Sequence, residues 1–170
     1  MKNTVSIIQL KPDDWHKYKA IRLEALQADP IAFGETYENI QSKPESYWRE
    51  RLASTESRWI FAQVDEQIVG MMGARISLKN EIQDTAIIVG VYVSTLYRGN
   101  GIGKKMLESL LKLLKDLNSV KKVKLWVSET QIAAKKMYED VGFIYTGTDE
   151  KQIEYKNNFY NELILEKILT

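Results

Sequence analysis

A chain of 170 residues, 44% hydrophobic and 28% charged, has the length and composition of one soluble globular domain that can bury a core without staples. Its formal net charge is +1 and its basic residues are scattered, so neither nucleic acid nor a membrane surface is expected as a partner. It has no cysteine and one histidine, His16, which removes disulfides, thiolate metal sites and a cysteine nucleophile and argues against zinc motifs and a Ser-His-Asp triad; no metal is expected.

No apolar run approaches the roughly 20 residues that span a bilayer. The stretch from Met1 to Gln9 alternates like a strand and lacks the apolar core of a signal peptide, so a cytoplasmic location is the expectation. No Pro/Gly/Ser-rich linker, internal repeat or low-complexity tract divides the sequence, and residues 1–170 are read as one domain.

Val5 and Ile7 open a first strand. Pro12-Asp13-Asp14 then starts a helix, with acidic residues in the turn where the macrodipole favours them. That helix carries Trp15, Tyr18, Ile21, Leu23, Ala25 and Leu26 and stops before Pro30. His16 is placed on its polar face. Pro44 and Glu45 start a second helix containing Tyr47, Trp48 and Leu52. Trp59 to Val64 and Ile68 to Ile76, joined by Asp65-Glu66-Gln67, read as a hairpin. Ala86 to Val93 is almost wholly apolar and β-branched, the pattern of a central strand covered on both faces, and Gly90 inside it marks a bulge or a close backbone approach.

Ile102, Met106, Leu110, Leu113 and Leu117 repeat at helical spacing, which predicts a helix from Gly101 to Leu117. Val123 to Val127 is a further strand and Ala133 to Val141 a further helix, ended by Gly142. Phe143 to Thr148 and Leu163 to Ile168 are closing strands, with a turn at Asn157-Asn158. Lys121, Lys122 and Lys124 are expected on a solvated strand edge. The order β-α-α-β-β-β-α-β-α-β-β describes an α/β domain with a mixed sheet.

The most informative stretch runs from Val91 to Lys105. A buried strand ends, a glycine-rich turn follows and a helix begins. Glycines let the backbone approach a ligand, and the unpaired N–H groups of a helix start attract an anion such as a pyrophosphate. Lys104 and Lys105 lie where a cation opposes the helix dipole, a placement that makes sense if a phosphate neutralises it. A Walker A loop needs Ser or Thr after Gly-Lys, whereas Gly103-Lys104 is followed by Lys105. A dinucleotide fold needs Gly-x-Gly-x-x-Gly and an acid roughly 20 residues later; here the spacing is Gly99-x-Gly101-x-Gly103, and Lys121 to Val123 holds no acid.

Arg98-x-x-Gly101-x-Gly103, after a strand ending in Val93, closely resembles the Gln/Arg-x-x-Gly-x-Gly/Ala signature of the GNAT acetyltransferases. Leu125-Trp126-Val127, Ala134, Met137-Tyr138-Glu139 and Gly142-Phe143 resemble the family's second signature in the right order and separation. Together the two cover about a third of the chain. The resemblance implies a mixed, mainly antiparallel sheet with two splayed central parallel strands flanked by helices. It further implies that acetyl-CoA is the co-substrate. The backbone of Val91, Tyr92 and Val93 would pair with the pantetheine arm as an added strand and polarise the thioester carbonyl. Arg98, Gly99, Asn100, Gly101, Ile102, Gly103 and Lys104 would hold the pyrophosphate, mostly through backbone N–H groups. Gly90 would sit at the bulge that splays the parallel strands. Tyr138 matches the general acid that protonates the departing thiolate; it shares a helix face with Ala134 and Gln131.

The family usually has Asn where this chain has Gln131, so a pantetheine contact from that amide involves a longer arm. No general base stands out: Ile87 to Val93 and Leu125 to Val127 carry no acid, Asp84 and Glu129 lie at strand margins, and a water chain is the alternative. Phe33 to Glu38 offers aromatic walls and two carboxylates for a cationic amine, opposite Tyr155 to Glu162. The expected activity is direct acetyl transfer to a primary amine of a small molecule, without a covalent enzyme intermediate. A non-catalytic acyl-CoA sensor on the same fold and a nucleotide-binding protein remain alternatives. The sequence leaves homodimer formation and the identity of the amine open.

Overall fold

Apolar runs that pair edge to edge need a cover on each face, and this chain supplies helices for both. A computed structural model of the chain describes residues 4–76 and 84–170. The strands β1 (Val5–Ile8), β2 (Ser57–Val64), β3 (Gln67–Ile76), β4 (Thr85–Val93), β5 (Lys122–Ser128), β6 (Ile144–Tyr155) and β7 (Asn158–Ile168) form a seven-stranded sheet in the order β1-β2-β3-β4-β5-β7-β6. Every neighbouring pair is antiparallel except β4 and β5. The mixed sheet with one central parallel pair is the architecture expected from the sequence.

One face is covered by α1 (Trp15–Ala28), α2 (Tyr37–Gln41) and α3 (Glu45–Ala53), with a core of Tyr18, Trp48, Trp59, Phe61 and Met71. The other is covered by α4 (Ile102–Asp116) and α5 (Ile132–Asp140). The α4 stripe Ile102, Met106, Leu107, Leu110, Leu111 and Leu114 is buried, and each such side chain contributes about 1.5–3 kcal/mol relative to exposure. Gly103 belongs to this packing: a Cβ there would stand 2.9 Å from the Met137 sulfur of α5.

Several expectations needed revision. The Pro12–Asp14 segment is a separate 3-10 turn, and α1 proper starts at Trp15. α2 is an element the sequence reading did not contain; the Thr36 hydroxyl caps it by accepting from the Asn39 N–H at 3.3 Å. The last hairpin is much longer than expected, and its turn is Lys156-Asn157, both at positive φ, rather than Asn157-Asn158. Lys122 and Lys124 are not on an edge, because β5 lies between β4 and β7; both face Glu166 at 3.6 Å, and only Lys121, just before the strand, is exposed.

The feature that creates the site is the brevity of the parallel pairing. β4 and β5 are in register only at Thr85↔Lys122, Ala86↔Val123 and Ile87↔Lys124, and then part. On its other side β4 continues against β3, with a register shift between Gly73↔Val89 and Met71↔Tyr92 that leaves Gly90 and Val91 as the bulged residues. Gly90 has φ +63, a conformation side chains rarely adopt, and a Cβ there would lie 2.8 Å from the Trp59 ring. Gly90→Ala is therefore expected to lower the unfolding free energy by about 1–3 kcal/mol. A melting temperature within about 1 °C of the parent would refute that account.

Candidate active site

Past Ile87 the β5-facing edge of β4 has no strand partner, and a cleft of about 460 Å³ opens there. Val89, Gly90 and Val91 line one wall, and Leu125, Trp126 and Val127 the other. Tyr138 and Gln131 reach the same cleft from α5, so the second sequence signature contributes to its lining, whereas Arg98 to Lys104 of the first lie in the turn beyond the end of β4. Tyr92 points away into the opposite core, and its phenol donates to Glu24 at 3.0 Å. Burial, reinforced by that carboxylate, raises its pKa to about 12.

Tyr138 is 4% exposed and packs edge-on against Phe143 at 5.8 Å. Burial alone pushes its phenol well above the ordinary value. The proton is therefore always present to be donated. The same shift works against giving it up in advance, so donation has to coincide with the appearance of charge on the acceptor.

The turn after β4 has the geometry of an anion cradle. Gly99 and Gly101 have φ +77 and +74, and a Cβ at either would meet nothing within 4 Å. Among the described residues, the backbone N–H groups from Gly99 through Lys104 have no protein acceptor; the first bond of the new helix is Lys105 N–H to Gly101 at 3.0 Å. Asn100 braces the turn by donating to the Tyr97 and Arg98 carbonyls, each at 3.2 Å. Ile102 is buried under the cradle. Lys104 is exposed, without a hydrogen bond or ion pair among the described residues. Two cations are placed differently from the sequence reading. Lys105 donates to the Val5 carbonyl of β1 at 2.5 Å, which explains its charge by the sheet edge rather than by a ligand. Arg98 donates from Nε to the Val93 carbonyl at 2.8 Å and from Nη2 to Asp29, so its side chain ties the turn to the end of α1.

The floor of the cleft holds groups to which the sequence reading gave no role. Arg22 on α1 is 7% exposed; its Nη2 donates to Glu35 at 2.7 Å and its guanidinium lies over Phe33, 4.6 Å from the ring centre. The signal was present in Tyr18, Ile21, Arg22, Ala25 and Leu26, a helical stripe in which one member is charged. Arg51, held by the Tyr18 and Tyr47 hydroxyls at 3.1 and 2.8 Å, and Arg75 line the same cleft.

A second cavity of about 700 Å³ adjoins the first, and both are lined by residues 32–35 and Glu162. Its walls include Tyr37 and Glu38 on one side and Glu154, Tyr155 and Glu162 on the other, as the sequence reading expected for the two flanks. Glu162 on β7 stands where the cavities meet; burial first, and the charge of Asp149 second, push its carboxyl upward. Neither earlier candidate base is in the cleft: Glu129 accepts from Asn161 N and Nδ2, and Asp84 sits at the far end of β4, accepting from Thr85. Among the described residues no group of three His, Asp or Glu side chains could hold a metal ion, and no helix is long and apolar enough to cross a membrane.

Comparison with known proteins agrees with this geometry. The model of the acetyltransferase (GNAT) family matches residues 21–143. Spermine/spermidine N(1)-acetyltransferase of Bacillus subtilis (strain 168) is 36% identical over 56 residues, covering 33% of this chain and 37% of that protein. N-acetylaspartate synthetase of Xenopus tropicalis is 32% identical over 95 residues, covering 56% of this chain and 33% of that protein. These matches span about a third of each curated relative. A GNAT-family acetyltransferase from Streptococcus pneumoniae superposes with a TM-score of 0.83 at 17% identity, covering 98% of this chain and 100% of that one. A putative acetyltransferase, yncA, from Salmonella typhimurium, solved with its cofactor acetyl-CoA, gives 0.80 at 15% identity, covering 98% and 95%. At such identities the superpositions speak for the fold.

The buried phenols make an optical prediction. Among the nine tyrosines, Tyr18, Tyr92 and Tyr138 should keep their protons well above the ordinary phenol value of about 10. Because the folded state holds these protons more tightly than the unfolded chain, stability falls as pH rises past that value. Phenolate absorbance should show a late phase that Tyr138→Phe reduces by one group; an unchanged late phase would place Tyr138 in contact with water.

Proposed function

This chain belongs to the GNAT acetyltransferase family, and from that premise we propose that it moves the acetyl group of acetyl-CoA directly onto a primary amine of a small molecule. The observation that carries the reading is the parting of β4 and β5 after Ile87, which opens a slot whose lining includes Tyr138. The pantetheine arm takes the place of the missing strand beside Val91, Tyr92 and Val93, and the pyrophosphate takes the unpaired amides from Gly99 to Lys104, with the Lys104 charge beside them. Gln131 at the start of α5 faces the same slot. Arg98 acts by bracing the turn.

The cofactor supplies an activated acetyl carbon, and the residues present account for the proton traffic. Glu162, at the junction of the two cavities, takes a proton from the incoming ammonium. The neutral amine attacks the thioester carbon, a C–N bond forms, and the carbonyl oxygen charge is met by a bulge N–H near Val91. The C–S bond then breaks, Tyr138 gives its proton to sulfur as charge develops there, and the nitrogen's second proton restores the phenol through water. No cysteine is available for an acyl-enzyme, and none is required.

Purified protein, acetyl-CoA and a panel of primary amines should release free CoA in an amine-dependent way. Cofactor binding without release over any amine would leave a sensor in place of an enzyme. Tyr138→Phe should lower kcat by about 100-fold or more while acetyl-CoA affinity changes little. Because Glu162 must be ionised to act, kcat/KM should fall as pH drops through its raised pKa, and Glu162→Gln should remove that acid limb. A Glu162→Gln variant with an unaltered profile would move the base elsewhere.

A further inference from the structure

The geometry points to an acceptor that is an α-amino acid, bound through its carboxylate to Arg22 and acetylated on its α-amine, with a cationic side chain lying in the outer cavity. This rests on the acetyl-transfer reading above and names the class of amine.

Arg22 is a charged side chain in a helix stripe that otherwise packs apolar atoms. A buried guanidinium is tolerated when its donors are matched, and here the match is incomplete. Nη2 has Glu35, whereas Nη1 is buried and has no partner. The unmatched donor lies beside the bulge: a Cβ built on Gly90 would stand 3.4 Å from Arg22 Nη1. A group that satisfies Nη1 must therefore lie beside the bulge, where the thioester carbonyl is polarised. Only an oxygen a few bonds from the attacking nitrogen can be there while that nitrogen reaches the acetyl carbon. A carboxylate on the carbon bearing the amine meets this requirement, and a guanidinium is its best-matched partner.

The charges agree. Arg51 and Arg75 also line the cleft, and among the described residues neither is in an ion pair with a carboxylate. Glu35 is already matched to Arg22, and against Arg22, Arg51 and Arg75 the cleft lining sets only Glu35 and Glu162, an excess of positive charge. A simple diamine has no acceptor to offer Nη1 and leaves it unmatched. The outer cavity has the opposite character: Glu35, Glu38, Glu154 and Glu162 line it, with no lysine or arginine among its lining residues. A side chain leaving the cleft by that route meets carboxylates, which favours a cationic one.

The test uses pairs of acceptors that differ only by the carboxylate, with CoA release as the readout: L-arginine against agmatine, L-lysine against cadaverine, and L-phenylalanine against phenethylamine. The unmodified protein should favour each amino acid over its decarboxylated partner by about 10- to 100-fold in kcat/KM, with arginine and lysine above phenylalanine. Arg22→Gln combined with Glu35→Gln, which leaves no unmatched buried charge, should collapse the arginine/agmatine ratio to near unity while acetyl-CoA affinity is retained. Parity within the pairs, or preference for the decarboxylated amines, would overturn the carboxylate anchor and leave acetyl transfer standing. Phenylalanine equal to arginine would overturn the cationic side-chain assignment alone. No release with any of the six would overturn this proposal, and release from other amines would then show that acetyl transfer survives it. A double variant that keeps the full arginine preference would show that Arg22 is not the anchor.

Discussion

The structure depends on two neighbouring strands ceasing to be neighbours. Parallel strands in a sheet normally satisfy each other along their length. Here three residue pairs hold β4 to β5, and the remaining backbone of β4 is left with an unmatched edge in the middle of the molecule. Such an edge is costly unless something completes it, which makes the sheet itself a binding device. β4 bulges at Gly90, and the Trp59 ring lies so close to Gly73 and Gly90 that any side chain at either glycine would collide with it.

Around that gap the two faces have different work. The α4 and α5 face supplies the amide cradle and Tyr138, so the parts proposed to meet the cofactor are mounted on helices packed through a continuous apolar stripe. The α1–α3 face supplies Arg22, Arg51 and the loop bearing Phe33 and Glu35. This side is built around aromatic rings and charged groups that lie against them, with Arg51 5.4 Å from the Trp59 ring centre and Arg22 over Phe33.

What was legible in the sequence followed the strength of local signals. The α4 stripe, the apolar β4 and the β2–β3 hairpin are written in periodicity and were read correctly. The glycine turn came from its residues and spacing and Tyr138 from the family resemblance; the structure sets Tyr138 in the β4–β5 cleft and the turn directly after β4. The misreadings have a common cause, which is that tertiary partners decided them. α2 is five residues long and depends on a threonine cap, too short for a periodic signal. The outer halves of β6 and β7 alternate weakly because much of that hairpin is exposed. Lys105 looked like a phosphate ligand until the Val5 carbonyl of β1, 100 residues away, was seen beside it. Glu162 has nothing local to distinguish it; its environment comes from Asp149 across the hairpin and from the cavities on either side.

The bond from Arg98 to Asp29 has a mechanical consequence. It fastens the loop that follows β4 to the residue that ends α1, three residues before the segment that walls both cavities. The glycine turn and the wall shared by the two cavities are thus joined by one strap. Thermodynamic reciprocity then applies: if occupying the amide cradle favours one position of the strap, a molecule in the outer compartment that prefers that position gains affinity by the same factor in return.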